Sequence, residues 1–240
     1  FREGSLMKTL IVLLGILIIF SCADKKVNLS HSEPSDLSYP DTVSNYFLFE
    51  YVDSLTAEDY IIKLDSIRNE LSDDFFTLRM AYTKTIDYAP YGSTTSDSLK
   101  KASRLIETAQ YDSAITVIDH IHGVEYVNIP SHLYLGYIYE QLNDSLKSKF
   151  HYSIYEGLLN SIYQSGDGNT PKTAYIVIST SEEYQFLHWF NLQFHSQSLM
   201  NEDGYSFDLM ETSDPDTKEE FKIYFNIKLP YRNLSKMFSK

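Results

Sequence analysis

A single cysteine, Cys22, stands in 240 residues, so no disulfide can close within the chain and packing alone must hold the fold. Thiolate zinc sites are excluded with it, and no histidine-glutamate zinc motif replaces them. Basic residues are scarce: 20 Lys and Arg face 33 Asp and Glu, a formal net charge of −13. No basic stripe interrupts that surface, which excludes nucleic acid as a partner. Apolar runs of the roughly 20 residues that span a bilayer are also missing.

The one long apolar run extends from Leu10 to Phe20, after Met7 and Lys8 and before Ser21 and Cys22. Charge, apolar stretch and small residue follow each other as in a secretory signal. "IFSC" resembles the lipobox of bacterial lipoproteins, in which the cysteine receives a diacylglycerol and becomes the new N-terminus. Residues 1–6 therefore read as an upstream remnant, 7–21 as a lipoprotein signal peptide, and Cys22 as the lipidated residue that ties the chain to a membrane. Residues 22–41 are polar with two prolines and read as a tether.

Helical patterning begins after residue 42. "TAEDYIIKLDSIRNEL" sets Tyr60, Ile61, Leu64, Ile67 and Leu71 at three- and four-residue steps, with Thr56 as N-cap and Glu58 and Asp59 in the first turn. "SDDFFTLRMAYTKT" repeats the pattern, with Ser72 placed to cap and Phe76, Met80, Ala81 or Tyr82 facing inward, before Pro90 and Gly92 break the chain.

Ala102, Leu105, Ala114, Ile118 and Ile121 are each followed 34 residues later by Gly136, Tyr139, Ser148, Tyr152 and Tyr155, small answering small and large answering large. That is the period of the tetratricopeptide helix-turn-helix unit. "HLYLGYIY", His132 to Tyr139, resembles its first helix, with Leu135, Gly136 and Tyr139 on pattern and His132 in the usual tryptophan place. "YDSAITVI" resembles the start of the second helix. An ordinary antiparallel bundle would also accommodate the spacing.

From Gly166 onward the pattern changes. A helix from about Asp144 ends near Gln164, with Gly166 suited to the left-handed C-terminal position. "AYIVIS" reads as a strand, "TSEEYQFLHWF" as a short helix with Thr180 and Glu183 spaced as a capping box, and the remainder as a meander turned at Asp203-Gly204. Pro230 ends the last strand, and "YRNLSKMF" closes the chain as a helix. The predicted fold is α+β: tetratricopeptide-like helical hairpins over 42–165, then a small β-α-β-β-β unit with an antiparallel meander over 166–240.

Catalytic signatures are absent. His120 and His122 sit two apart on a helix, which points them to different faces. Asp167 and Asn169, flanked by Gly166 and Gly168, offer too few oxygens for calcium and read first as a helix-stop turn. Glu182 and Glu183 satisfy a helix's first turn. These four, Asp167, Asn169, Glu182 and Glu183, remain the candidate interaction residues at the junction of the two parts. The 20 tyrosines and 14 phenylalanines are mostly core, with "YFLFEY" from Tyr46 to Tyr51 the densest cluster.

"LRMAYTKTIDYAPYG", "SGDGNTPKTAYIVISTSEEY", "SLMNEDGYSFDLM" and "IYFNIKLP" together resemble an uncharacterised family of Bacteroidetes lipoproteins, over about two thirds of the chain. The resemblance implies a cell-envelope protein and supplies no catalytic residue or cofactor. The expectation is a non-catalytic, lipid-anchored module of the envelope, at the outer membrane, that binds a protein or peptide. A small hydrolase acting around Asp167 and Glu183, or a glycan-binding accessory protein, are the alternatives.

Overall fold

Thr56, Asp74, Asn128, Asp144 and Ser179 each open a helix by taking up one of its free N–H groups. The computed structural model describes residues 45–91 and 93–238, so Cys22 and the segments read as signal peptide and tether lie outside the described residues. Helix α1, Leu48–Ser54, precedes α2, Ala57–Arg68, which Thr56 opens with a full capping box to Asp59. Ile67 is buried on α2 as its spacing predicts, but Ile61 and Leu71 face solvent. Helix α3, Phe75–Tyr82, is capped by Asp74 rather than by Ser72, because the Ser72 hydroxyl accepts instead from the Asp74 N–H at 3.2 Å. Met80, Ala81 and Tyr82 are buried as expected.

Two helical hairpins follow: α4, Ser93–Glu107, with α5, Tyr111–Val124, and α6, Ile129–Gln141, with α7, Ser145–Tyr163. Helix α6 rests on both α4 and α5. The small residues of the 34-residue period occupy the contacts. Ala102 and Ala114 are fully buried in an apolar cluster with Ile118, Leu135 and Ile138. Gly136 lies so close to the Tyr152 ring that a β-carbon there would stand 2.7 Å from it.

Gly166 does not take the left-handed conformation; Gly168 does, at φ 70°. What Gly166 provides is room, since the carbonyls of Thr173 and Ala174 occupy the place a side chain would need. The "AYIVIS" segment is a strand only at β1, Tyr175–Ile176. Its partner β4 ends where β1 does, and the chain then rises into helix α8, Thr180–Trp189. Strands β2, Gln193–Glu202, and β3, Tyr205–Ser213, form the hairpin predicted at Asp203-Gly204, both at positive φ as a type I′ turn requires. Strand β4, Glu220–Asn226, completes a sheet of order β1-β4-β3-β2, parallel at β1–β4 and antiparallel elsewhere. The last helix, α9, Lys228–Phe238, begins before Pro230, which is tolerated there because first-turn residues donate no intrahelical bond.

The architecture is thus mixed α+β, helices first and a small sheet after. One apolar core crosses the whole: Leu78, Ile154 and Leu158 from the helices join Ile176, Phe186, Met210 and Phe225 from the α8–sheet layer. The "YFLFEY" cluster contributes Phe49, which is buried, and Tyr46, whose ring stacks on Tyr205 at 4.0 Å.

Candidate functional site

The start of α8 organises the junction between helices and sheet. Its N-cap is Ser179, one residue before the Thr180 of the predicted capping box, so Glu182 rather than Glu183 occupies the third helical position. From there Glu182 accepts the Ile178 N–H at 2.8 Å and faces Arg79 of α3. Arg79 is completely buried. Its Nε donates to Glu182 at 2.8 Å, one terminal nitrogen to Ser161 of α7 at 3.1 Å, and the other to the Ile176 carbonyl of β1 at 2.9 Å as well as to Glu182. One guanidinium therefore ties together α3, α7, β1 and α8, using the planar fork that suits arginine to this place.

Glu183 points from the same turn to the sheet. It too is fully buried, and with both carboxyls ionised neither of its oxygens has a donor. A single proton held between Glu183 and Asp208 of β3 resolves this. Burial first and the Asp208 charge second push the Glu183 carboxyl up to about 10. Burial also raises Asp208, while hydrogen bonds from Gln197 and Glu183 pull it back. The larger displacement falls on Glu183, which marks it as the member of the pair that holds the proton. The chain of contacts continues outward, because the Tyr184 hydroxyl donates to Gln197 Oε1 at 3.2 Å.

A groove of about 770 Å³ opens beside this turn. One wall is α4, with Leu99, Lys100, Ser103 and Arg104; the other is the first turn of α8 with Tyr184 and Gln185; Tyr91 and Tyr134 close it. Its charges are of both signs, and Glu125 sits at its base, half-buried, its carboxyl raised by burial and eased by hydrogen bonds from Asn128 and Thr95. Glu182 and Glu183 are thus interior residues rather than a surface. Asp167 and Asn169 are exposed, and Asp167 Oδ1 accepts the Asn169 N–H at 2.8 Å in a local turn.

Residues 58–236 match the family described as a domain of unknown function, DUF4919. The chain belongs to the DUF4919 family. No curated protein and no solved structure matches it. The DUF4919 match runs from the first turn of α2 into α9, so Arg79, the carboxyl pair and the groove all fall inside it.

Three histidines of this DUF4919 chain meet where α5, α6 and α7 converge, an arrangement sequence spacing does not disclose. The rings of His122 and His132 stack at 4.4 Å, and His132 and His151 share an Nδ1–Nδ1 contact of 3.2 Å. The Ser131 hydroxyl donates to the Asn128 carbonyl, so His122 Nε2–H donates to Ser131 at 2.7 Å. His132 Nε2–H donates to the Tyr126 carbonyl at 2.7 Å, which leaves its Nδ1 to accept from His151. Burial above all holds the three neutral, His122 down to about 3, His151 to about 4 and His132 well below its ordinary value. Among the described residues no group of three or more His, Cys, Asp or Glu is disposed to hold a metal ion. His120 lies exposed on the outer face of α5.

Proposed function

We propose that this protein is a non-catalytic, lipid-anchored component of the bacterial cell envelope, of Bacteroidetes type and at the outer membrane, that binds a peptide or protein partner in the groove between α4 and α8. The observation that carries the reading is the groove itself. It is large enough for several side chains and is lined by the partly exposed rings of Tyr91, Tyr134 and Tyr184 together with Arg104, residue types enriched where proteins dock. The two hairpins α4–α5 and α6–α7 are read as tetratricopeptide-like units, supported by their 34-residue spacing and by the small residues at their contacts. Two units are fewer than such stacks need alone, and the core shared with the sheet supplies the missing support.

Location is tested by fractionation. The Cys22→Ser chain is expected to leave the membrane fraction while keeping its melting temperature; recovery there at the wild-type level would overturn the lipid anchor. Binding is tested with a photo-crosslinking residue at Ser103, in the α4 wall, in cells expressing the full chain. A discrete product is expected, and Tyr184→Ala should reduce it by an order of magnitude. Equal capture by the variant, or none by either chain, would sink the groove as the binding surface.

The Glu183–Asp208 pair favours the hydrolase as a second reading, because two carboxyls that share a proton can divide acid and base roles. Complete burial of Glu183 weighs against it, since a reacting group must touch its catalyst.

A further inference from the structure

The two edges of the sheet are unlike. Strand β1 is an edge of two residues, too short to recruit a neighbour. Strand β2 is an edge of ten residues and is exposed along almost its entire length. Sheet edges of this kind are usually blunted by lysine, proline or brevity. In "QFHSQSLMNE" there is no lysine, arginine or proline, and the single bulge lies at the Phe194 end, leaving Ser196–Glu202 in unbroken register with β3.

Hairpin geometry fixes which backbone groups are free. In a two-residue hairpin the flanking pair, Glu202 and Tyr205, exchanges hydrogen bonds, so the next pair, Asn201 and Ser206, does not. The Ile227 N–H donating to the Ser206 carbonyl at 2.9 Å confirms that Ser206 points to β4. By alternation the N–H and C=O groups of Gln197, Leu199 and Asn201 point out from the free edge. Leu199 is 55% exposed, and Phe194 and Tyr184, in edge-to-face contact at 5.5 Å, lie on the same face of the sheet.

We propose that β2 pairs antiparallel with β2 of a second copy of this chain about a twofold axis at Leu199, joining the two sheets into one. The choice of occupant rests on self-complementarity. With the axis at Leu199, the two leucines meet at the centre, each Gln197 faces Asn201 of the partner subunit, and each Glu202 faces Ser196 of the partner subunit. Every outward backbone group then has a partner, and no charged side chain opposes another. Moving the axis to Asn201 sets Leu199 against the partner's Asp203 and draws the acidic ends together. Moving it to Gln197 runs the pairing into the bulge at residue 195. For a chain of net charge −13, an interface that keeps acids apart is the one open to a second copy. The exposed leucine at its centre supplies apolar burial where hot spots lie.

The test uses the full chain with Cys22→Ser, so that one introduced thiol reports alone. Under mild oxidation the Leu199→Cys chain is expected to form a disulfide-linked dimer at least an order of magnitude faster than the Ile86→Cys chain, whose site is 99% exposed and lies in the turn after α3, outside every strand. Adding Asn201→Pro should abolish the difference, because it removes an outward N–H while leaving the β2–β3 ladder intact. Equal rates at the two sites would overturn the proposal. So would a monomeric mass by light scattering for the wild-type chain at high micromolar concentration, which is independent of whether the cysteine variants fold well.

Discussion

The Arg79→Ala chain is expected to be about 3–5 kcal/mol less stable than the wild type, the range seen when one partner of a buried ion pair is removed. Against a typical domain stability of roughly 5–15 kcal/mol, that loss leaves little margin. The reason is what stays behind. Glu182 keeps only the Ile178 N–H and has 4% of its surface in contact with solvent, while Ser161 Oγ and the Ile176 carbonyl each lose a donor. Lysine should rescue poorly, since a single ammonium cannot reach three acceptors set for a planar fork. Replacing both partners with apolar residues, Arg79→Met with Glu182→Leu, should recover most of the loss because no charge is then stranded. Urea unfolding of the three variants reads all of this. A single-variant loss below about 1 kcal/mol would show that the pair does not hold the junction.

The second large effect concerns pH. Glu183 binds its proton in the folded chain up to about pH 10, whereas an unfolded glutamate releases it near 4.5. Between those values the native state carries the extra proton, so stability contributed by this group is complete below pH 4.5 and declines as pH rises. The slope approaches about 1.4 kcal/mol per pH unit. Glu183→Gln keeps a donor toward Asp208 and removes the titration, so it should stabilise the chain by up to about 4 kcal/mol at pH 8 and by little at pH 5. The histidine cluster acts at the other end. His122 and His151 are depressed to about 3 and about 4, so unfolded chains take up protons first as pH falls below 6.5, and stability is lost toward those values. Wild-type stability should therefore peak near pH 6 and fall on both sides, with Glu183→Gln flattening only the alkaline limb. Parallel limbs for variant and wild type would refute the shared proton.

Features that depend on a few consecutive residues were legible in the sequence. Thr56 announces an N-cap with Glu58 and Asp59 in the turn after it, Asp203-Gly204 announces a hairpin, and the 34-residue recurrence of small residues marks two packed helical hairpins. Errors arose where distant parts of the chain decide. The "AYIVIS" run has strand composition, but its length as a strand is set by β4, which meets it over two residues only. Glu182 and Glu183 look alike in a first turn, and which of them caps was settled by Ser179 and by Arg79, 103 residues earlier. Asp208 reads as one polar position of an alternating strand, and nothing local reveals that it faces a protonated Glu183. The groove is built from α4, the α5–α6 junction and α8, so no single stretch carries its signature.

Among the described residues the first and last α-helices, α1 and α9, touch. Asp53 of α1 accepts from both terminal nitrogens of Arg232 of α9 at 3.0 Å, and Lys228 Nζ lies 4.5 Å above the Phe49 ring and 4.1 Å above Tyr205. Contacts spanning 179 residues cannot form until the end of the chain has been made. A polypeptide that emerges N-terminus first, from a ribosome or through a translocation pore, can pack α1 on α3 early, through Tyr51 and Thr77, but waits for α9 through nearly all of its synthesis. Its closing step is a latch, α9 and the β2–β3 hairpin seating against an α1 that was made first.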